Sequence, residues 1–317
     1  MPFSTITKFL SLDVLGALLI EIIKIMQRLI TGKTKLLGVI GHPVEHSLSP
    51  LMHNAALESL GLNYVYLPFP IKPDDLPKAI QGFSAIGVTG FNVTIPHKQA
   101  IMSCLSAIHP IAKSVGAVNT VLRKDNHWIG TNTDIEGFIS PLQTTYRRNW
   151  QQTVAVILGN GGAARAVVAG CIQLGCTQVH VIGRNEQKLK EFRNSWDNLP
   201  PEVNLQMHKW EEISRIIFQA HLLVNTTPMG MHPNVDVSPL SAEEMRDLPR
   251  GAIAYDLIYN PSPTRFLQLA RQQGAIAIDG LEMLVQQGAS ALRIWLDLES
   301  VPVDIMRQTL RNHLGWR

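Results

Sequence analysis

The chain has 317 residues, enough for about two domains with substantial cores at roughly 100 to 200 residues each. Charged residues make up 17%, hydrophobic ones 45%, and the net charge is +3, which excludes a disordered or fibrous chain. Lys and Arg are scattered without forming a basic stripe, so nucleic acid is not an expected partner. Cys104, Cys171 and Cys176 form an odd set without a CxxC pair, as expected of structural thiols in a reducing, cytoplasmic compartment.

In chain order, the apolar stretch from Phe9 to Met26 comes first. Asp13, Glu21 and Lys24 interrupt it, leaving its longest uncharged run short of the ~20 residues a membrane span needs. No membrane span is expected, and without a basic start or a small-residue cleavage site the stretch is a poor signal peptide. Residues 1–32 read as an amphipathic helical extension or, preferred, as sequence upstream of a start at Met26.

From Lys35 onward, β-branched runs alternate with amphipathic stretches, which predicts α/β architecture with mainly parallel sheets. Leu36 to Gly41 predicts a strand, and a helix is expected from Pro50 with Ser49 as its N-cap. Tyr64 to Phe69 and Ile86 to Val93 predict further strands, and Pro96 is expected to open a helix carrying Lys98 in its first turn. Gly116 to Leu122 reads as extended, with Lys124-Asp125-Asn126 turning the chain into His127 to Gly130. Thr131 to about Asn149 reads as a helical connector. A second series of strands follows: Thr153 to Leu158, Gln178 to Ile182, Leu222 to Asn225, Ala252 to Ile258 and Ala275 to Ile278. Leu281 to Leu298 and Val303 to Leu314 are helical, with no strand left to pair.

The second series opens with Val154 to Leu158 running straight into Gly159-Asn160-Gly161-Gly162-Ala163 and then a helical pattern. A pyrophosphate needs such glycines because it must approach the backbone closely, at a helix start that offers unpaired N–H groups and a positive dipole end. The bland alternative is a glycine turn closing an ordinary βα unit. After the next strand comes Gly183-Arg184-Asn185, with no carboxylate in the turn to bond a ribose 2′-hydroxyl. Arg184, with Lys188 one helical turn later, favours the 2′-phosphate of NADP, although a solvated surface arginine would look the same.

The remaining polar clusters must carry the chemistry, because a dinucleotide fold alone does not specify a reaction. Ser47 and Ser49 place two hydroxyls around a helix start, suited to a carboxylate or to plain N-capping. A lysine at 98 in the first turn of a helix is electrostatically disfavoured and therefore needs another reason to be there. Gly116 to Thr120 and Gly130 to Asp134 add amides, hydroxyls and one carboxylate. His42, His46 and His53 lie close in sequence, but His42 and His46 fall in a Pro-containing loop and no Cys or carboxylate cluster completes a tetrahedral set, so no metal is expected.

These clusters occur together as Ser-Leu-Ser-Pro at 47–50, Asn-Val-Thr-Ile-Pro-His-Lys at 92–98, Gly-Ala-Val-Asn-Thr at 116–120 and Asn-Thr-Asp at 132–134. Asn-Thr-Thr-Pro-Met-Gly-Met at 225–231, Tyr-Asp-Leu-Ile-Tyr at 255–259 and Asp-Gly-Leu-Glu-Met-Leu-Val-Gln-Gln at 279–287 follow in the same order. From about Lys35 to its end the chain resembles the shikimate dehydrogenase family. The resemblance implies reversible NADPH-dependent reduction of 3-dehydroshikimate to shikimate, toward aromatic amino acids. It implies Lys98 and Asp134 as the catalytic pair, Ser47, Ser49 and Tyr259 at the substrate carboxylate, and Asn92, Thr94, Asn119 and Gln287 at the ring hydroxyls. Gly159, Asn160, Gly161, Gly162, Ala163, Arg184, Asn185, Leu257 and Gly280 would contact NADP, with Lys188 added from the charge pattern. The family's usual Asn-Arg-Thr is Gly183-Arg184-Asn185 here, keeping the arginine and changing both neighbours.

The implied organisation is an extension over 1–32, an α/β substrate-binding domain over 33–134, a Rossmann-type doubly wound NADP domain over 135–279, and helices over 280–317 returning to the substrate domain. The expected partner is the small-molecule substrate; oligomeric state stays open, a homodimer being one assembly it allows. Lys98 can serve as proton donor or as electrostatic stabiliser. Rival readings are a quinate/shikimate dehydrogenase using NAD(P), a folate-linked methylene dehydrogenase, which the Ser-Leu-Ser-Pro loop and Gln287 fit poorly, and a non-catalytic NADP-binding regulator, which retention of Lys98 and Asp134 argues against.

Overall fold

The computed structural model describes residues 30–146, 148–196 and 200–316. The expectations for the apolar stretch from Phe9 to Met26 lie outside these residues. Among the described residues, no helix is long and apolar enough to cross a membrane.

The first half forms a six-stranded sheet of β1 (Lys35–Gly41), β2 (Tyr64–Pro70), β3 (Val88–Val93), β4 (Ala107–Ile108), β5 (Thr120–Lys124) and β6 (His127–Thr131), ordered β2-β1-β3-β5-β6-β4. β1 runs parallel to β2 and β3, while β5 is antiparallel to both of its neighbours. The β5–β6 hairpin turns on Asp125 and Asn126 at φ 49° and 61°, residues that tolerate the left-handed region. The second sheet, β7 (Val154–Leu158), β8 (Gln178–Gly183), β9 (Asn204–Lys209), β10 (Leu222–Asn225), β11 (Ile253–Asp256) and β12 (Ile276–Ile278), is parallel throughout and ordered β12-β11-β10-β7-β8-β9. Strand order reverses between β7 and β10, the crevice where doubly wound sheets bind ligands.

The helices are α1 (Ser49–Ser59), α2 (Leu76–Ala85), α3 (Pro110–Val115), α4 (Asp134–Thr145), α5 (Gly162–Leu174), α6 (Glu186–Asn194), α7 (Ala242–Met245), α8 (Arg265–Gln272), α9 (Leu281–Leu296) and α10 (Val303–His313). The apolar faces of α9 and α10, with Val285, Ala289, Leu292, Met306 and Leu310, pack on Leu37, Val39, Met52 and Leu57 of the first sheet and α1. Phe138 and Leu142 of α4 are buried against the second sheet and α5. Small residues permit this crossing: a Cβ on Gly137 would fall 2.7 Å from the Met283 carbonyl, and one on Gly288 would fall 2.3 Å from the Met52 methyl.

Several local expectations change. No α-helix opens at Pro96; residues 95–99 form a turn leading into a 3-10 stretch, Ala100–Cys104. The reason is visible in the carbonyls. Ile95 O accepts from His42 N–H at 2.9 Å and Lys98 O from Val118 N–H at 2.8 Å, so both serve neighbouring segments instead of a helical ladder. Ser49 is the first residue of α1, not its N-cap: Leu48 takes that position, and Ser49 N–H donates to Ser47 Oγ at 3.3 Å. Gly116 is not extended but caps α3 at φ 69°. The strand expected from Ile86 begins at Val88, and that expected over Ala252 to Ile258 is limited to β11. β9 was not anticipated, because an edge strand with only Leu205 buried shows no apolar run.

His53 of α1 is fully buried, its ring stacked on Tyr66 at 4.2 Å, and neither ring nitrogen has a partner among the described residues. Burial pushes its pKa down to about 3, so the folded protein holds it neutral. The unfolded chain protonates it near the ordinary value of about 6.5, so its contribution is fully present above that pH and is lost as pH falls toward the folded value. Between pH 7 and pH 4 the unmodified protein should therefore lose about 3 kcal/mol more unfolding free energy than His53→Phe. Equal losses in denaturant melts at the two pH values would contradict a neutral buried imidazole.

Candidate active site

Lys98 and Asp134 meet beside the start of α5, where Gly162 lies against the lysine stem. The Lys98 Nζ lies 2.5 Å from Asp134 Oδ2, with both side chains largely withdrawn from solvent (16% and 7% exposed). Asp134 starts α4, where a helix N-terminus favours a carboxylate, and its backbone N–H donates to Asn132 Oδ1 at 3.0 Å. Its second oxygen accepts from Asn119 Nδ2 at 2.8 Å. The pair thus has the multiple hydrogen bonds that a buried ion pair needs if it is to offset its desolvation.

Around the pair runs a connected polar network. Asn119 Nδ2 also reaches Thr133 Oγ1 at 3.0 Å and Gln287 Oε1 at 3.4 Å, while Asn119 Oδ1 accepts from Thr133 N–H at 2.7 Å. Asn92, near the end of β3, donates to Asn119 O at 3.2 Å and to Thr120 Oγ1 at 3.1 Å. Gln287 arrives from α9, and the close approach that Gly137 allows between α4 and α9 brings it there. Thr94 packs its methyl against Gly41, where a Cβ would fall only 2.5 Å away. Burial pushes the Tyr259 phenol pKa up, while the Leu48 backbone, between Ser47 and Ser49, acts the other way.

Tyr66 was not singled out from the sequence, yet it ties two of these groups together. Its hydroxyl donates to Asn92 Oδ1 at 2.7 Å. Burial pushes its pKa well up, while a hydrogen bond with Ser49 acts the other way. The only sequence signal was a phenol in a strand next to a candidate carboxylate-binding loop.

The glycine turn lies alongside. Gly159 at φ 106° follows β7, and a Cβ there would meet Thr226 Oγ1 at 2.7 Å, so only glycine fits. Open space lies over Gly161, and the buried Asn160 Nδ2 has no hydrogen-bond partner among the described residues. Such a cradle, with an orphaned donor beside the exposed N–H groups of α5, fits a dinucleotide pyrophosphate. Gly162 opens α5 directly against the Lys98 stem: a Cβ on it would lie 3.3 Å from Lys98 Cβ and 3.4 Å from Cδ. Gly280 approaches Leu257 so closely that a Cβ would fall 2.1 Å from the Leu257 carbonyl. Arg184 and Lys188 are exposed beyond β8, away from the Lys98 cluster, and Asn185 caps α6 by accepting from Lys188 N–H at 2.9 Å.

Residues 39–121 match the family described as Shikimate dehydrogenase substrate binding domain, and residues 280–311 match the Shikimate 5'-dehydrogenase C-terminal domain. A Shikimate dehydrogenase (NADP(+)) of Trichormus variabilis is 69% identical over 287 residues, covering 90% of this chain and 99% of the relative. The chain belongs to the shikimate dehydrogenase family. The structure of shikimate 5-dehydrogenase from Thermus thermophilus in complex with NADP(H) and shikimate superposes with a TM-score of 0.76 at 35% identity, covering 88% of this chain and 99% of that one. The same score is reached at 30% identity by a 5-ketofructose reductase of Gluconobacter, covering 89% of this chain and all of that one. Family membership makes this chain an NADP-dependent oxidoreductase.

Removing the Tyr66 hydroxyl leaves Asn92 Oδ1 buried without its donor. Tyr66→Phe should lower unfolding free energy by about 1–3 kcal/mol with an unchanged denaturant slope. Unaltered stability would mean that the phenol is not holding Asn92.

Proposed function

We propose that this chain catalyses the reversible NADPH-dependent reduction of 3-dehydroshikimate to shikimate, the step its family performs toward aromatic amino acids. The observation that carries the reading is the Lys98–Asp134 pair held at 2.5 Å with the lysine stem against Gly162 of the glycine turn. Proton handling and dinucleotide binding therefore converge on one place.

When bound at the turn, the dinucleotide supplies or accepts the hydride. As a ketone carbon gains that hydride, its oxygen becomes negative, and the Lys98 ammonium within reach donates a proton or holds the charge. Asp134 orients the ammonium and is fixed in turn by Asn119 and Asn132. In the opposite direction Lys98 receives the hydroxyl proton as the carbon loses hydride, so the step balances both ways. Ser47, Ser49 and Tyr259 are assigned to the substrate carboxylate, and Asn92, Thr94, Asn119 and Gln287 to the ring hydroxyls. Gly159 to Ala163, Leu257 and Gly280 are assigned to the dinucleotide backbone, with Arg184, Asn185 and Lys188 at the 2′-phosphate end. The hydrogen bonds that link Asn92, Asn119 and Gln287 to the pair support the ring-hydroxyl assignments.

The division carried forward is a substrate unit of 33–134 with 280–317 and a cofactor unit of 135–279, supported by the return of α9 and α10 to the first sheet. Three free cysteines accord with a cytoplasmic enzyme. The homodimer is kept as the assembly to test by light scattering.

Lys98→Ala should lower kcat roughly 10²- to 10⁴-fold with a modest change in KM, measured by NADP reduction with shikimate. Near-normal turnover would remove Lys98 from the chemistry, and faster turnover of quinate than of shikimate would move the assignment to a quinate/shikimate dehydrogenase. Arg184→Ala should raise KM for NADPH roughly 10- to 100-fold while leaving NADH kinetics within about threefold. Parallel losses with both cofactors would place Arg184 away from the 2′-phosphate.

A further inference from the structure

Residues 116–119 form a strap between α3 and β5 that belongs to neither. Most of its backbone groups are held by the substrate-side unit. Val118 N–H donates to Lys98 O at 2.8 Å, Ala117 O accepts from Asn132 Nδ2 at 2.9 Å, and Asn119 O accepts from Val93 N–H at 2.8 Å. The strap thus grips the main chain of Lys98 and delivers the Asn119 side chain to Asp134. It touches both members of the catalytic pair.

One polar hold comes from elsewhere. Arg165, in the first turn of α5, donates from Nη1 to the carbonyl of Val115 at 3.2 Å, the last residue of α3 and the one that leads into the strap. The guanidinium lies directly under Gly116, where an added Cβ would sit 3.1 Å from Nη1. Its other contacts belong to the end of α6 and the residue after it: Ser195 Oγ at 2.6 Å and the Phe192 ring at 4.8 Å from the guanidinium carbon. Arg165 is 7% exposed, and Nε has no hydrogen-bond partner among the described residues. A buried cation in the first turn of a helix is unfavourable twice over, by desolvation and by the helix dipole, so packing alone is a poor reason for it.

The helix that carries Arg165, α5, follows the glycine turn, and the helix whose end holds it, α6, follows the Arg184 turn. We infer that Arg165 is a positioning residue that couples dinucleotide binding at the start of α5 to the strap and, through Val118 and Asn119, to the alignment of Lys98 with Asp134. This rests on the proposed reaction for its kinetic consequence but not for its mechanical one. Arg165 touches neither substrate nor reacting atoms; it sets where the groups that do so are held.

The test compares Arg165→Met, which keeps length and removes the donors, with Arg165→Lys, which can still reach Val115 O. Arg165→Met should lower kcat roughly 10- to 100-fold, as expected for a small misplacement of catalytic groups. KM for shikimate and the NADPH Kd from nicotinamide fluorescence should stay within about threefold, and Arg165→Lys should recover most of kcat. Amide exchange gives the readout that simple loss of stability would not move: in the unmodified protein NADPH should slow exchange at Val118 and Asn119, and in Arg165→Met that slowing should vanish while slowing at the glycine turn persists. The inference is overturned by a kcat within about twofold of normal, by a loss confined to NADPH binding with the strap's response intact, or by no NADPH-induced slowing at 118 and 119 in the unmodified protein. The last measurement decides even if Arg165→Met does not fold. A protein that binds NADPH but turns over no shikimate would refute the proposed reaction and leave the exchange comparison to judge this coupling separately.

Discussion

A largely buried ammonium and a buried carboxylate 36 positions apart set the terms for the rest of this molecule. Neither charge is tolerable alone in a low-dielectric interior, and together they persist only with further donors on the carboxylate. Asn119 supplies such a donor, and Asn132 holds the backbone N–H of Asp134. Lys98 and Asn119 must reach the carboxylate from different elements, so the hairpin β5–β6, the strap at 116–119 and α4 are constrained jointly. The pair is less an addition to the fold than a requirement that several connections satisfy together.

Close backbone approach is the second constraint, and it explains where glycine is needed. Gly137 lets α9 approach the helix that begins with Asp134, which carries Gln287 to Asn119. Gly162 lets the dinucleotide turn rest on the lysine stem. A single methyl group at Gly137 would push α9 from α4, in an interior where neighbouring backbone has little room to give. Packing and chemistry share the same residues here.

The polar network is also largely complete before any ligand arrives. Asn92 and Asn119 have their hydrogen-bonding capacity mostly engaged with one another, with Tyr66, and with Thr120 and Thr133. Such preorganisation limits reorganisation during reaction, since dipoles already point where charge develops. It does not by itself select a substrate. A 5-ketofructose reductase and shikimate dehydrogenases superpose on this chain with similar scores, so specificity lies in side chains rather than in the scaffold.

What the sequence determined by itself was everything carried by neighbours along the chain. The strand–glycine–helix unit at 154–174, the alternation of strands and helices, and the motifs holding Lys98, Asn119 and Asp134 are contiguous signals, because period and turn chemistry are local. The tertiary structure decided what depends on distant partners. Lys98 lies in a turn and not in a helix because its carbonyl is taken by Val118. Tyr66 and Arg165 acquire roles only through Asn92 and Val115, which local pattern does not connect to them. β9 pairs as an edge strand without an apolar run of its own. Hydrogen bonds such as Asn119 to Gln287, 168 positions apart, leave no trace in local sequence, since only the folded chain brings their atoms within reach.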